Sequence, residues 1–388
     1  MKIIQYCQHL LGVGHLFRSL EIAKALFNHE VILVTGGPHV DANFPKHVQQ
    51  FHLPYLQMDH EFKGLFSTDP HVTLERVKEE RQARLFALFE KEAPDLFIVE
   101  LYPFGRKAFR FELDSVLEAI RQQRVPSCGV VCSVRDILVE KEDQARHENR
   151  AVQTLNRYFD AILVHADPKF VKIEETFFRL TEIGIPVIYT GFIAPKPEAN
   201  SRAAIRKSLG ISEEEILIIA SVGGGSVGTP LLESVIKAFK QLKVDNSKNL
   251  RVYTGPFINN ADFEHLKNLA VPQIVIEEFA TDFLSFLAAA DLSISMAGYN
   301  TSMSILATQV PALVWPFSNN HEQRLRAERF AEIGALRVLK DEDLRPERLA
   351  GIMAQTLNKP PRLSASIDLN GADNSARWIE AWAKGNVN

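Results

Sequence analysis

At 388 residues the chain exceeds the length at which one hydrophobic core stays efficient, so two domains of roughly 150 to 200 residues each are expected. Hydrophobic residues make up 46% and charged residues 24%, with a formal net charge of -4 and both signs interspersed. This composition gives no sign of a nucleic-acid-binding face. No run of about eighteen apolar residues offers a membrane span, and the opening MKIIQYCQHLLGVGH sets a glycine and histidines where a secretory leader needs its apolar segment, so a cytoplasmic protein is expected.

Lys2 to Tyr6 reads as a strand, Leu11 to His15 as a turn, and Leu16 to Asn28 as a helix whose buried face is Leu16, Leu20, Ala23 and Phe27. His15 and Arg18 lie near its amino end. Val31 to Thr35 closes a first β-α-β unit. Gly12 and Gly14 allow a tight turn and a close backbone approach to a ligand. A dinucleotide fingerprint needs a third glycine, where Phe17 stands, and an acid after the second strand, where Thr35-Gly36-Gly37 stands, so no nicotinamide or flavin cofactor is expected.

From His39 to Arg84 the chain is polar and holds His39, His47, His52, His60 and His71, with no pair at compact metal-ligand spacing. It reads as a variable surface region around an acceptor site, without a metal. Within it, Phe62, Leu65 and Phe66 form either an apolar patch for peripheral membrane contact or part of the core. Phe97 to Glu100 is a strand, Lys107 to Gln123 a helix, and Ser127 to Cys132 and Ala161 to Val164 are further parallel strands. Arg135, in the loop Ser133 to Asp136, either lines a cleft or pairs with Asp136. Cys7, Cys128 and Cys132 form no disulfide framework and read as small buried apolar residues.

Val187 to Tyr189 ends the first half. Residues 191–200, GFIAPKPEAN, read as the linker between an N-terminal domain at 1–190 and a C-terminal domain at 201–372. The α/β rhythm then restarts with a strand at Ile216 to Ser221, a glycine loop, and a helix from Pro230 to Leu242 capped by Thr229. Strands at Leu250 to Thr254, Gln273 to Ile276, Leu292 to Ser295 and Ala312 to Trp315 follow. Between the last two, Gly298 with Asn300, Thr301 and Ser302 opens a helix whose first N–H groups face the strand end and suit an anion. The final segment, 373–388, holds an amphipathic helix with Trp378 and Trp382, expected to pack on the N-terminal domain.

Three segments, GVGHLFRSLEIAKAL, SVGGGSVGTP and AGYNTSMSILATQVPALVWPFSNNHEQRLRAERFAEIGA, resemble the GT-B glycosyltransferases. They are closest to the family 28 C-terminal-like branch that contains the lipid II-forming N-acetylglucosaminyltransferase. The resemblance implies an α/β fold of two Rossmann-like domains facing each other across a cleft. The second domain would hold a nucleotide sugar, usually a UDP-sugar, and the first an acceptor that is a small molecule, a glycan or a lipid-linked sugar. It implies that Gly223, Gly224, Gly225 and Ser226 contact the diphosphate, that Phe279 flanks the base, and that Gly298, Tyr299, Asn300 and Thr301 sit near the phosphates and ribose. Gln323 matches a glutamine that touches sugar hydroxyls. The family's ribose-binding glutamate falls at Ser304. Gly12, Gly14, His15 and Arg18 also resemble the Gly-x-Gly-His-x-x-Arg of the UDP-sugar hydrolases of pseudaminic acid synthesis.

Sugar transfer needs a stabilised leaving diphosphate and a base for the attacking nucleophile. The glycine loop and helix amino ends supply N–H groups for the first without a metal or other cofactor. His15, with an ordinary pKa near 6.5, is the candidate base. Arg18 either neutralises phosphate or pairs with Glu21; Glu322 either binds donor or opens a helix; Tyr299 and Trp315 also read as packing residues. The expected function is an inverting, metal-independent glycosyltransferase in the cytoplasm or at the inner face of its membrane. A nucleotide-sugar hydrolase and a catalytically weak sugar-nucleotide-binding protein are the alternatives.

Overall fold

The computed structural model describes residues 1–9, 14–38, 40, 43–58, 64–138, 143–225, 227–244, 246–280, 282–317 and 321–385. Short runs of Ile, Val and Leu form parallel strands, and the amphipathic stretches between them form crossover helices that lay an apolar stripe on the sheet. Two units result, Met1–Ile193 with Asn370–Asn388, and Ala194–Leu369.

The first unit runs β1 (Lys2–Tyr6), α1 (Gly14–Ala25), β2 (Glu30–Thr35), β3 (Val48–His52), β4 (Leu56–Met58), β5 (Leu65–Ser67), α2 (Leu74–Glu92), β6 (Leu96–Glu100), α3 (Arg110–Arg121), β7 (Gly129–Arg135), α4 (Gln144–Tyr158), β8 (Ala161–His165) and β9 (Val187–Tyr189). Its sheet is parallel in the order β3-β2-β1-β6-β7-β8-β9, and β4 and β5 form a separate antiparallel pair. The sheet's chain order reverses between β1 and β6. Open α/β sheets bind ligands at the carboxyl ends of the strands beside such a reversal.

Several sequence expectations change here. Helix α1 ends at Ala25, so Phe27 falls in the following turn and is 68% exposed, while Leu26 takes its place in the core. Ser133 to Arg135 belong to β7 rather than to a loop. The region read as variable surface contains a sheet strand, β3, whose VQQFH sequence is polar because it lies at the sheet edge, and also α2, which buries Arg81 completely. Leu65 is half-buried and Phe66 exposed; Phe62 and His60 lie outside the described residues, as does His39. Cys7 and Cys132 are buried and Cys128 half-buried, all three free.

The second unit runs α5 (Ser201–Leu209), β10 (Ile216–Ser221), α6 (Thr229–Gln241), β11 (Lys248–Tyr253), α7 (Asn260–Asn268), β12 (Ile274–Glu277), α8 (Phe283–Ala289), β13 (Leu292–Met296), α9 (Tyr299–Thr308), β14 (Ala312–Trp315), α10 (His321–Glu332), β15 (Arg337–Val338) and α11 (Pro346–Asn358). Its sheet is parallel in the order β12-β11-β10-β13-β14-β15, reversing between β10 and β13. Leu232, Val235 and Phe239 of α6 and Leu349 and Met353 of α11 share one core cluster with Ile218, Leu250 and Ile294.

The last helix, α12 (Gly371–Ala383), belongs to the first unit. Ala376 and Ile379 enter that unit's core cluster, and Asn374 Nδ2 donates to Thr190 O at 2.6 Å. Trp378 and Trp382 stack with centroids 6.2 Å apart, and the Trp382 ring fills the space beside Gly129 where a Cβ would stand. No helix among the described residues is long and apolar enough to cross a membrane.

Candidate active site

Glu100, the last residue of β6, is 1% exposed and stands at the reversal point of the first sheet. Helix α1, which follows β1, brings His15 and Arg18 to it. Glu100 Oε1 accepts from His15 Nδ1 at 2.6 Å and from the Arg18 guanidinium, and Oε2 accepts from Arg106 Nη2 at 3.3 Å. Arg18 therefore pairs with Glu100, not with Glu21, which takes Lys24 instead. Arg18 Nη2 also stands 3.1 Å from His15 Nδ1, because both N–H groups converge on the same carboxylate oxygen.

A carboxylate accepts only, so Nδ1 of His15 carries the proton and Nε2 keeps its lone pair. Nε2 makes no hydrogen bond among the described residues, and the side chain is 24% exposed. Burial chiefly pushes the imidazole pKa down to about 3; Arg106 and Arg18 act in the same direction and Glu100 against them. Burial opposes ionisation of Glu100, but the His15 contact and the Arg106 and Arg18 guanidiniums hold its carboxyl well below the usual carboxylate range. The pair is thus a charged carboxylate orienting a neutral imidazole. Glu100 was not singled out from sequence; an acid closing the apolar run Leu96-Phe97-Ile98-Val99 was the available signal.

The first unit holds two further buried polar groups. His165, at the end of β8, lies between Ser133 Oγ at 2.7 Å from Nε2 and Thr190 Oγ1 at 2.9 Å from Nδ1, and burial lowers its pKa to about 3. Arg81 of α2 holds Glu112 of α3 through Nε at 2.8 Å and Nη2 at 2.6 Å, both side chains being fully buried, and Tyr6 donates to the same carboxylate. Arg135 closes β7 and is half-buried; Gly14 opens α1; Gly12 lies outside the described residues.

In the second unit the loops after β10 and β13 meet at the reversal point. Gly228, with φ 105°, lies so close to Met296, the last residue of β13, that a Cβ would stand 2.8 Å from its sulfur. Gly228 also caps α6, placing Thr229 inside the helix, where its hydroxyl donates to Asp262 Oδ2 at 3.1 Å; Thr229 is not the cap. Gly223 and Gly225 take φ of 69° and 91°, a region open to glycine at little cost. A second glycine turn, unmarked in the sequence reading, locks this loop: Gly255 has φ 83°, and its missing Cβ would stand 2.3 Å from Gly223 O. Phe257 N donates to Gly224 O at 2.9 Å.

Gly223 and Gly224 are exposed and Gly225 is buried; Ser226 lies outside the described residues. Gly298 caps α9, with Asn300 and Thr301 half-buried in its first turn, and Tyr299 is buried under the Arg326 guanidinium at 5.4 Å. Glu322 is 8% exposed in the first turn of α10, and Gln323 Oε1 accepts from Phe317 N at 3.3 Å. Phe279 is 52% exposed just beyond β12, and Ser304 is buried in α9. Among the described residues no three His, Cys, Asp or Glu side chains are grouped to hold a metal ion.

Residues 219–378 match the Glycosyltransferase family 28 C-terminal domain. The chain is 29% identical over 193 residues to the UDP-N-acetylglucosamine--N-acetylmuramyl-(pentapeptide) pyrophosphoryl-undecaprenol N-acetylglucosamine transferase of Carboxydothermus hydrogenoformans, covering 48% of this chain and 49% of that one. Against this and the other transferases of that name the chain spans between 40% and 49% of their length. Over the whole chain, the fold is similar to that of Acinetobacter baumannii MurG, with a TM-score of 0.59 at 17% identity and coverage of 98% and 99%. It is similar as well to the UDP-GlcNAc 2-epimerase of Methanocaldococcus jannaschii, with a TM-score of 0.62 at 13% identity and coverage of 98% and 99%. The fold is therefore that of the GT-B glycosyltransferases, and the match to the family 28 C-terminal domain falls in the second unit and α12.

Proposed function

We propose that this chain transfers a sugar from a nucleoside diphosphate, a UDP-sugar by resemblance, to an acceptor hydroxyl, with inversion. The observation that carries this reading is the His15–Glu100 pair at the reversal point of the first sheet. The acceptor oxygen attacks the anomeric carbon, its proton passes to His15 Nε2, and the bond from that carbon to the diphosphate oxygen breaks. One displacement inverts the centre. His15 is neutral and so can take this proton, which becomes acidic as the new C–O bond forms. Glu100 then faces the imidazolium it has helped to create.

The second unit holds the donor in this reading. N–H groups of the Gly223 to Gly225 loop and of the first turns of α6 and α9 take the charge that grows on the leaving diphosphate, without a metal. Ser304 supplies no carboxylate for the ribose, which leaves ribose recognition to other groups. The relatives' name makes a lipid-linked acceptor the first to try, working at a membrane surface on the cytoplasmic side.

The same neutral imidazole can activate water, and the Gly-x-Gly-His-x-x-Arg pattern favours that as the second reading. A thermal-shift panel of UDP-, GDP-, dTDP- and CMP-sugars, followed by product analysis with and without a lipid-linked sugar acceptor, separates the two. Acceptor-dependent release of the nucleoside diphosphate supports transfer; release in plain buffer at a comparable rate supports hydrolysis. Stabilisation without turnover leaves a binding protein, and no stabilisation by any nucleotide rejects the donor site.

A further inference from the structure

Strand β6 ends on Glu100, and in the loop that follows, residues 101–106, two residues with side chains take left-handed backbone: Leu101 with φ 66° and Arg106 with φ 57°. That conformation is uncommon outside glycine and costs energy, most for a bulky residue, so it persists only where the surroundings enforce it. Here they do. Leu101 N donates to Ser133 O and Gly105 N to Leu101 O, both at 2.8 Å, and His147 Nε2 donates to Phe104 O at 3.0 Å. The Phe104 ring packs edge-on against Phe177 with centroids 5.0 Å apart, and the Tyr102 hydroxyl donates to Asp114. The Leu101 side chain fills the space beside Gly105, where a Cβ would stand 2.7 Å from Leu101 Cδ2.

The pinned loop ends by presenting Arg106, its side chain 14% exposed, to Glu100. Nε and Nη2 lie 3.4 Å and 3.3 Å from Oε2, the oxygen that His15 and Arg18 leave unused. The last torsion of a glutamate is broad and roughly two-fold, so partners on one oxygen alone leave the plane of the carboxylate loosely set. Partners on both oxygens define it.

We propose that the 101–106 loop is a clamp for the Glu100 carboxylate, which makes Arg106 a positioning residue for His15. The inference rests on His15 as the base in the reading above and adds the residue that holds its partner in place. With Oε2 held, Oε1 keeps its place against Nδ1, and the imidazole plane is fixed with Nε2 on the far side. The Arg106 charge also opposes protonation of His15 before the reaction begins. The backbone strain at Leu101 and Arg106 is what the fold sustains to deliver that guanidinium.

Two variants test it. Arg106→Gly removes the guanidinium and accepts the left-handed backbone without strain, so it folds; Arg106→Lys keeps a charge without the fork. The readouts are donor turnover across pH and the imidazole NMR signals of His15 at pH 4. The clamp requires Arg106→Gly to lower kcat about tenfold or more, with KM for the donor within about twofold. It also requires the acid limb of kcat/KM to move to higher pH and a larger share of His15 to be protonated at pH 4. Arg106→Lys is expected to return the limb and the protonated share to wild-type values and to restore kcat only in part. A wild-type kcat and pH profile in Arg106→Gly, a loss carried by KM alone, or a loss with His15 titrating as in wild type overturns the clamp. Wild-type protein without turnover overturns the transfer reading instead, and the clamp is then decided by His15 protonation: raised in Arg106→Gly and restored in Arg106→Lys supports it, unchanged overturns it.

Discussion

His15 Nδ1 and Glu100 Oε1 stand 2.6 Å apart, one on the helix that follows a central strand and the other at the end of that strand's neighbour. Glu100 raises the basicity that burial and two arginines lower. Glu100→Gln removes this support and leaves Arg18 and Arg106 without their carboxylate. Turnover is expected to fall about a hundredfold or more, with the dissociation constant of the donor within about twofold of wild type. Steady-state kinetics beside a donor titration checks this; a variant that loses donor affinity instead points to a structural role for the pair.

The pH dependence of activity follows from the same geometry. His15 must be neutral to accept a proton, and its pKa is lowered to about 3, so it stays competent well below the ordinary histidine value. The kcat/KM profile is expected to show no histidine limb near pH 6.5. A limb there that disappears in His15→Gln would contradict the neutral-imidazole assignment.

Stability has its own acid dependence. His15 and His165 both bind protons in the unfolded chain near pH 6.5 but resist them in the fold down to about 3. Between these values the unfolded state holds more protons, so stability falls as pH falls. His165→Asn, which carries no titrating group, is expected to flatten the decline of the melting midpoint from pH 6.5 to pH 4. An unaltered slope would remove His165 from the explanation.

Arg81 and Glu112 form a fully buried pair. Glu112→Leu alone strands a buried guanidinium and is expected to cost about 3–5 kcal/mol, whereas Arg81→Met with Glu112→Leu recovers most of that loss. Urea unfolding of the wild type, both single variants and the double variant measures it. Additive losses in the double variant would mean the two charges do not act as a pair.

Gly255→Ala forces a Cβ against Gly223 O at a φ of 83°. The expected cost is about 1–3 kcal/mol, together with weaker nucleotide binding because the glycine loop is displaced. Gly210, also at positive φ but with open space around it, is the control: Gly210→Ala is expected to lose some stability and no affinity. Equal binding by both variants would show that the second glycine turn does not shape the loop.

Much of the scaffold was legible because the central strands are short apolar runs; Lys2–Tyr6, Val187–Tyr189, Ile216–Ser221 and Ala312–Trp315 fall where periodicity sets them. Val48–His52 was not, since an edge strand need not alternate and its Gln49 and Gln50 read as loop. Local chemistry misplaced the cap of α6: Thr229 is a good capping type, but the φ of 105° at the preceding position admits glycine. The site was legible only in part. Gly-x-Gly-His marks a strand-to-helix turn, whereas Glu100 lies 85 residues from His15 and is its partner only through β1–β6 pairing. Gly255 and Phe257 follow the same rule, since their importance comes from the neighbouring strand's loop.

The most direct measurement is donor turnover by wild-type and His15→Asn proteins at donor concentrations that saturate both, alongside their donor dissociation constants. Dissociation constants within about twofold, with turnover reduced at least about a hundredfold, are expected if His15 is the base. Turnover by His15→Asn at the wild-type rate would contradict the account, whatever the affinity for the donor.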